Sequence, residues 1–132
     1  MIMVIKNFER LVSNGLTPVL QKKRRDALEI LTAAVEGVDP YLVVEQFFQQ
    51  NHLMLASEAF DLSGFDRVFV VGFGKASVPM AHAVCDAVSV SRGVVVTNLA
   101  SAQIPYDIVE VVRGGHPLPT EGSLRGTDKV LA

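Results

Sequence analysis

Apolar residues follow a helical period in the first third of the chain. One set recurs at spacings of three and four residues, the pattern of one helix face. Its members are Ala27, Ile30, Leu31, Ala34, Val35 and Val38. Asp39 and Pro40 are typical of the N-cap and first position of a second helix, which we expect to end near Asn51. Two such helices in series indicate a helical layer that covers another part of the fold.

The hydrophobic pattern changes to short continuous runs after residue 55. Arg67 to Val71 predicts a strand that is buried on both faces, as in parallel sheets. Further strands are predicted at Val94 to Thr97 and at Ile108 to Val112. A helix that admits Pro79 only in its first turn separates the first two strands, and a last helix is expected from about Thr120.

This order of strand, helix and strand predicts a right-handed parallel crossover and therefore an α/β fold. We expect a Rossmann-like three-layer domain with a parallel sheet, on which the N-terminal helices pack. Because no Pro-rich or Gly-rich linker interrupts the 132 residues, we expect residues 1–132 to form one domain.

Composition narrows the function classes without selecting one. Hydrophobic residues make up 49% of the chain and the net charge is -2, which fits a globular domain and disfavours a basic nucleic-acid binder. The basic cluster from Lys22 to Arg25 is therefore interpreted as a solvated helix face. Cys85 is the single cysteine, and the apolar run Met1 to Ile5 is too short for a secretory signal or a membrane helix. We expect a cytoplasmic protein that binds neither nucleic acid nor a membrane.

The strongest local signal is a glycine-rich segment between the first predicted strand and the helix after it. Glycines let backbone N–H groups approach an anion, the following helix adds a positive dipole end, and Lys75 adds a full charge. Open α/β sheets bind ligands at this end of their strands. The segment predicts an anion-binding loop, although a tight turn with an exposed lysine is the alternative. The predicted binding residues are Gly72, Gly74, Lys75, Ala76 and Ser77.

Two common phosphate-binding motifs do not fit this segment. A P-loop requires glycine at the position of Phe69 and serine or threonine at the position of Ala76. A dinucleotide-binding loop requires a third glycine where Ser77 stands and an acidic residue after the next strand, which ends in Thr97 and Asn98 instead. The sequence therefore favours neither a P-loop kinase nor a typical NAD enzyme.

A second loop follows the third predicted strand, from Gly114 to Thr120. Two glycines, two prolines and a histidine indicate a rigid loop of specific shape. His116 is a candidate catalytic residue that donates a hydrogen bond or carries a proton, and Gly115, Pro117 and Thr120 are candidate binding residues. The alternative is a plain loop whose histidine caps the backbone. The remaining histidines have no partner at metal-ligand spacing, so we predict no metal site among these residues.

Two stretches, GFGKAS at residues 72–77 and GHPLPTEGS at residues 115–123, resemble the N-terminal domain of the glycerate 2-kinases of the MOFRL type, which are often named hydroxypyruvate reductases. The likeness extends from about Arg24 to Ala132. It implies transfer of phosphate from ATP to D-glycerate, giving 2-phosphoglycerate, with Mg²⁺. It also implies that Lys75 lies in the active site and that His116 lies near the same cleft.

The resemblance also implies an incomplete protein, because the family's chains are much longer. We expect this chain to be the N-terminal piece of a two-domain enzyme, inactive by itself, with an exposed apolar face that favours a homodimer. Two alternatives stay open. One is a sugar-phosphate-binding domain of the sugar-isomerase type, and the other is a non-catalytic α/β interaction module. Reduction of hydroxypyruvate is disfavoured by the missing dinucleotide-binding motif.

Overall fold

The computed structural model describes residues 5–100 and 102–132. Residues 1–4, which hold most of the opening apolar run, and residue 101 lie outside the described part. The chain divides into two compact units, residues 1–39 and residues 40–132. No helix within the described ranges is long and apolar enough to cross a membrane.

The first unit is a pair of helices, α1 (Phe8–Ser13) and α2 (Pro18–Glu36). Thr17 caps α2, because its hydroxyl accepts a hydrogen bond from the N–H of Leu20 at 3.3 Å, and Pro18 occupies the first turn. Arg25 donates two hydrogen bonds to the Glu9 carboxylate, at 2.8 and 3.1 Å. Part of the basic cluster therefore joins α1 to α2.

The predicted helix face on α2 is present, since α2 spans all but the last of its apolar positions. Four of these side chains are more than half exposed, and α2 has no buried residue. They are Ile30, Leu31, Val35 and Val38. The apolar stripe is thus an open surface of this unit.

The second unit begins with a helix where Asp39 and Pro40 predict one, but that helix is short. α3 (Pro40–Glu45) ends well before Asn51. An antiparallel meander follows it, which the sequence pattern did not predict. Its strands are β1 (Phe48–Gln49), β2 (His52–Leu55) and β3 (Glu58–Asp61). The turn between β1 and β2 places Gln50 and Asn51 at positive φ. This turn lacks the Asn-Gly pair that usually marks such turns in a sequence.

A three-stranded parallel sheet forms the centre of this unit, with the strand order β4-β5-β6. The strands are β4 (Phe69–Phe73), β5 (Arg92–Thr97) and β6 (Val109–Arg113). Helix α4 (Ser77–Ala87) joins β4 to β5, and helix α5 (Glu121–Leu131) follows β6. The predicted mixed α/β fold with parallel strands is confirmed, and each predicted strand is found within about two residues.

The two helices cover opposite faces of the sheet. Val95 of β5 is fully buried in a core that includes Val78 and Ala81 of α4. Its neighbour Val96 lies under Gly126 of α5, so consecutive residues of one strand face different helices. Helix α5 lies close to the strands because a side chain at Gly126 would collide with Val96.

The expectation that the first strand is buried on both faces is wrong. Phe69, Val71 and Phe73 of β4 are 58%, 51% and 64% exposed. These side chains are exposed because β4 is an edge strand and because α5 packs on the other two strands, β5 and β6. The middle strand β5 shows the predicted burial instead, since Val94 and Val95 face different sides and both are buried.

A carboxylate on α4 ties two other parts of the second unit to this helix. Tyr41 of α3 donates a hydrogen bond to Asp86 at 2.6 Å, and Tyr106, from the connection between β5 and β6, donates to its other oxygen. His82 lies 3.4 Å from the same carboxylate. These hydrogen bonds lower the pKa of Asp86, and the bond to Asp86 raises the pKa of Tyr41 to about 12.

These pKa shifts predict how the stability of the second unit depends on pH. The folded pKa of Asp86 lies below its ordinary value of 3.8, so its contribution is present above that value and is lost as the pH falls through the folded pKa. The contribution of Tyr41 is present below its ordinary pKa of 10.0 and is lost as the pH rises through about 12. Urea unfolding from pH 3 to pH 11 measures the onset of both losses.

The variant Asp86→Ala should be less stable than the unsubstituted chain at pH 7 and should lose less stability below about pH 4. Asp107→Ala is the matched control, because it removes an exposed carboxylate near the same connection. Equal effects of the two substitutions would contradict the assigned role of Asp86.

Candidate functional site

The end of the middle strand β5 brings the two predicted loops together. The N–H of Gly74, just after β4, donates a hydrogen bond to the carbonyl oxygen of Val96 at 2.9 Å. The N–H of Gly114, just after β6, donates to the carbonyl oxygen of Thr97, also at 2.9 Å. Both glycine-rich loops therefore start from the same strand end, at the carboxyl edge of the sheet.

A cavity of about 660 Å³ lies between the two loops. This volume is in the range of pockets that hold small molecules. Helix α5 contributes Ser123 and Thr127 to the wall of the cavity. The lining residues are Phe73, Gly74, Lys75, Ala76, Val96, Thr97, Asn98, Gly114, Gly115, His116, Ser123 and Thr127.

The first loop has a backbone shape that requires glycine at one position. Gly74 has a φ of 97°, in the left-handed region that other residues rarely adopt. The Ser77 side chain, which is buried, donates a hydrogen bond to the carbonyl oxygen of Gly74 at 2.6 Å. Gly72 belongs to β4 and lies against the start of α4, where an added Cβ would be 3.0 Å from the Ser77 Cβ. Gly72 and Ser77 thus stabilise the shape of the loop.

Lys75 and Ala76 form the exposed part of this loop and line the cavity. Ala76 is the N-cap of α4, so the positive end of the helix dipole lies beside Lys75. Within the described residues, the Lys75 ammonium has neither a hydrogen-bond partner nor an ion-pair partner. This arrangement can bind a carboxylate or a phosphate oxygen.

The second loop carries His116 into the same cavity. The peptide bond between His116 and Pro117 is cis. Gly115 permits the tight fold of this loop, because an added Cβ would overlap the carbonyl oxygen of Leu118. Gly115 and His116 line the cavity, Pro117 follows on the exposed loop, and Thr120 is the N-cap of α5.

Ser123 holds the second loop closed. Its Oγ accepts hydrogen bonds from the N–H of Gly115 at 3.0 Å and from the N–H of Thr120 at 3.1 Å. The Ser123 N–H donates in return to the Thr120 backbone carbonyl oxygen at 2.9 Å, in the arrangement of a capping box. One hydroxyl thus joins both ends of the segment that carries His116.

Sequence reasoning did not assign Asn98, Ser123 or Thr127 to the site. The spacing of Thr120 and Ser123 fits a capping box, but the bond from Ser123 to Gly115 depends on the folded loop. Asn98 could have been found from its place directly after the middle strand. No sequence motif marks Thr127, which lies on α5 one helical turn after Ser123.

The chemistry of the cavity does not match a magnesium site. Mg²⁺ prefers carboxylate oxygens, and the described lining residues include no aspartate or glutamate. The described residues contain no group of three or more metal-ligating side chains. The described lining residues therefore do not fit a bound Mg²⁺ ion.

A parallel sheet with helices on both faces makes this unit an α/β fold, and open α/β sheets in general bind ligands at the carboxyl edge, where the two glycine-rich loops lie here. The family model described as a domain of unknown function, DUF4147, matches residues 26–132. The chain belongs to this family.

Three relatives were identified among curated proteins. A glycerate 2-kinase of Pyrococcus horikoshii is 29% identical over 83% of this chain and 24% of its own length. A D-glycerate 2-kinase of Thermotoga maritima is 32% identical over 80% of this chain and 23% of its own length. An Agrobacterium vitis protein provisionally named a hydroxypyruvate reductase is 42% identical over 78% of this chain and 21% of its own length.

A solved structure has the same fold. The crystal structure of a protein from Pyrococcus horikoshii aligns with a TM-score of 0.68 at 29% identity, over 82% of this chain and 24% of that protein. The chain therefore spans about a quarter of the length of the relatives that it matches.

The two hydrogen bonds accepted by Ser123 predict the effect of removing its hydroxyl. Ser123→Ala should lower the free energy of unfolding by about 1–2 kcal/mol, since each of the two net hydrogen bonds contributes roughly 1 kcal/mol. The backbone amides of Gly115 and Thr120 should exchange with solvent faster, as measured by NMR.

Ser91→Ala is the matched control for this variant. The Ser91 hydroxyl also accepts a backbone hydrogen bond, from Val68 at 3.2 Å, but at the opposite end of the sheet. This control should leave the exchange of Gly115 and Thr120 unchanged. Unchanged exchange in Ser123→Ala would show that the hydroxyl does not hold the loop.

Proposed function

We propose that the complete gene product containing this chain transfers phosphate from ATP to the 2-hydroxyl group of D-glycerate, giving 2-phosphoglycerate. The observation that carries the proposal is the cavity that Lys75 and His116 line from two different loops. Relatives named glycerate 2-kinase support the choice of substrate. Because the chain spans about a quarter of their length, the activity is assigned to the complete gene product.

Phosphoryl transfer depends mainly on positioning and on neutralising the charge of the phosphoryl oxygens. Lys75 supplies a positive charge at the cavity, and the exposed backbone from Gly74 to Ala76 approaches the same space. His116, on the facing loop, is the described residue that can accept the proton of the glycerate hydroxyl. Gly72, Ser77, Pro117 and Thr120 act through the shape of the two loops.

ATP would supply the transferred phosphoryl group, and Lys75 with the start of α4 fits one of its anionic oxygens as well as a carboxylate. Magnesium is proposed as a cofactor of the complete enzyme, with its carboxylate ligands outside the described cavity. Lys75 and the backbone from Gly74 to Ala76 bind and orient the anionic groups, and His116 holds the proton.

Hydroxypyruvate reduction is the second candidate, because the Agrobacterium vitis relative bears that name. A nicotinamide enzyme of this topology places a third glycine at the helix start and an acidic residue after the second strand of the sheet. Ser77 and Asn98 occupy those places here, and Ser77 forms a hydrogen bond that glycine cannot form. These residues favour the kinase over the reductase.

The reaction product tests the proposal. The complete gene product, incubated with D-glycerate, ATP and Mg²⁺, should give the phosphorus NMR resonance of 2-phosphoglycerate. The appearance of 3-phosphoglycerate, or of no phosphorylated acid, would contradict it. Oxidation of NADH or NADPH in the presence of hydroxypyruvate would support the reductase instead.

Removal of the Lys75 charge should reduce activity much more than stability. Lys75 is exposed, so Lys75→Ala should change the free energy of unfolding by no more than about 0.5 kcal/mol. We expect kcat/KM for glycerate to fall roughly 100-fold or more, since a charged contact to a transferring phosphoryl group is lost. Lys75→Arg should restore only part of this loss, because a planar guanidinium does not replace a point charge in a tight turn.

Lys23→Ala is the control for the loss of an exposed lysine, because Lys23 lies on α2 in the first unit. It should leave the kinetic constants unchanged. Near-normal kinetics in Lys75→Ala would mean that Lys75 is only an exposed lysine in a turn.

A further inference from the structure

Asn98 is the first residue after the middle strand, and hydrogen bonds fix the backbone before and after it. The carbonyl oxygens of Val96 and Thr97 bind the two glycine-rich loops, so Asn98 follows directly at the point where the loops meet. The Thr97 side chain, which is 2% exposed, accepts a hydrogen bond from the N–H of Leu99 at 3.3 Å. The backbone around Asn98 is therefore held from the preceding and from the following residue.

The hydrogen bonds of the cavity lining distinguish Asn98 from the hydroxyl side chains there. Ser123 accepts two backbone hydrogen bonds, and Thr127 donates to the Ser123 carbonyl oxygen at 3.1 Å. The Thr97 hydroxyl accepts a hydrogen bond from the N–H of Leu99. Asn98 is half-buried and lines the cavity, and within the described residues its amide has no hydrogen-bond partner. Its donor and acceptor are therefore available to a ligand.

A side-chain amide supplies what the Lys75 ammonium lacks. The ammonium of Lys75 attracts any anion with little directional preference. The Asn98 amide has two N–H donors and one carbonyl acceptor in a fixed plane. A 2-hydroxycarboxylate carries a carboxylate acceptor next to a hydroxyl donor, which matches this arrangement.

We propose that Asn98 is a specificity-determining residue, whose Nδ2 donates a hydrogen bond to the carboxylate of the 2-hydroxy acid in the cavity. This inference rests on the proposed function, because it takes glycerate as the acid. It places the acid at the end of β5, between the first loop, which carries Lys75, and the second loop, which carries His116.

Three substitutions in the complete gene product test this proposal. Asn98→Asp replaces the donor by a negative charge and should raise KM and Kd for D-glycerate roughly 100-fold or more. Asn98→Ala removes one hydrogen bond to a charged group and should raise both about 10-fold. Asn98→Gln retains the amide one methylene further out and should have a smaller effect than Asn98→Asp. The KM for ATP should stay within about 3-fold in each variant.

The Kd of D-glycerate is measured by calorimetry without ATP, so that the result does not depend on turnover. Asn14→Asp is the control, because it introduces the same change at the C-cap of α1. Circular dichroism reports whether a variant is folded, and Asn98→Ala tests the proposal if Asn98→Asp does not fold.

The outcomes separate the two proposals. Unchanged glycerate constants in all Asn98 variants would overturn the role of Asn98 while leaving the kinase assignment in place. A selective rise in the KM for ATP would assign Asn98 to the nucleotide and would also overturn it. Failure of the unsubstituted protein to bind or phosphorylate D-glycerate would overturn both.

Discussion

Two backbone hydrogen bonds at the end of β5 determine the arrangement of the candidate site. The last carbonyl groups of this strand accept the N–H groups of Gly74 and Gly114, one from each side. In a parallel sheet all strands end at the same edge, so this pairing places both loops on one cavity. Lys75, Asn98 and His116 come from three different strand ends and meet only because of this register.

Glycines make the close packing around this edge possible. Gly74 adopts a positive φ that turns the chain from β4 toward α4. Gly122 and Gly126 let α5 approach the strands, since a side chain at Gly122 would overlap the Arg113 carbonyl oxygen. This approach places Ser123 where its hydroxyl reaches Gly115. The shape of the histidine loop thus depends on small residues in the helix that follows it.

The sequence predicted the parallel strands, the helices α4 and α5, and both loops, because period and glycine position are local signals. It missed the antiparallel meander, since Gln50 and Ala56 adopt positive φ without the usual turn residues. It also overestimated the burial of β4, because an apolar strand does not reveal whether it has a neighbour on each side. Ser123 was missed because its role depends on the N–H group of Gly115, which only the fold brings near, whereas the place of Asn98 directly after the middle strand is visible in the sequence.

A crystal structure of the complete gene product with bound D-glycerate is the decisive measurement. The acid should occupy the cavity between the two loops. Its carboxylate oxygens should lie about 3 Å from Lys75 Nζ or Asn98 Nδ2, with its 2-hydroxyl group toward His116. D-glycerate bound away from this edge of the sheet, with Lys75 and Asn98 contacting solvent alone, would contradict the account.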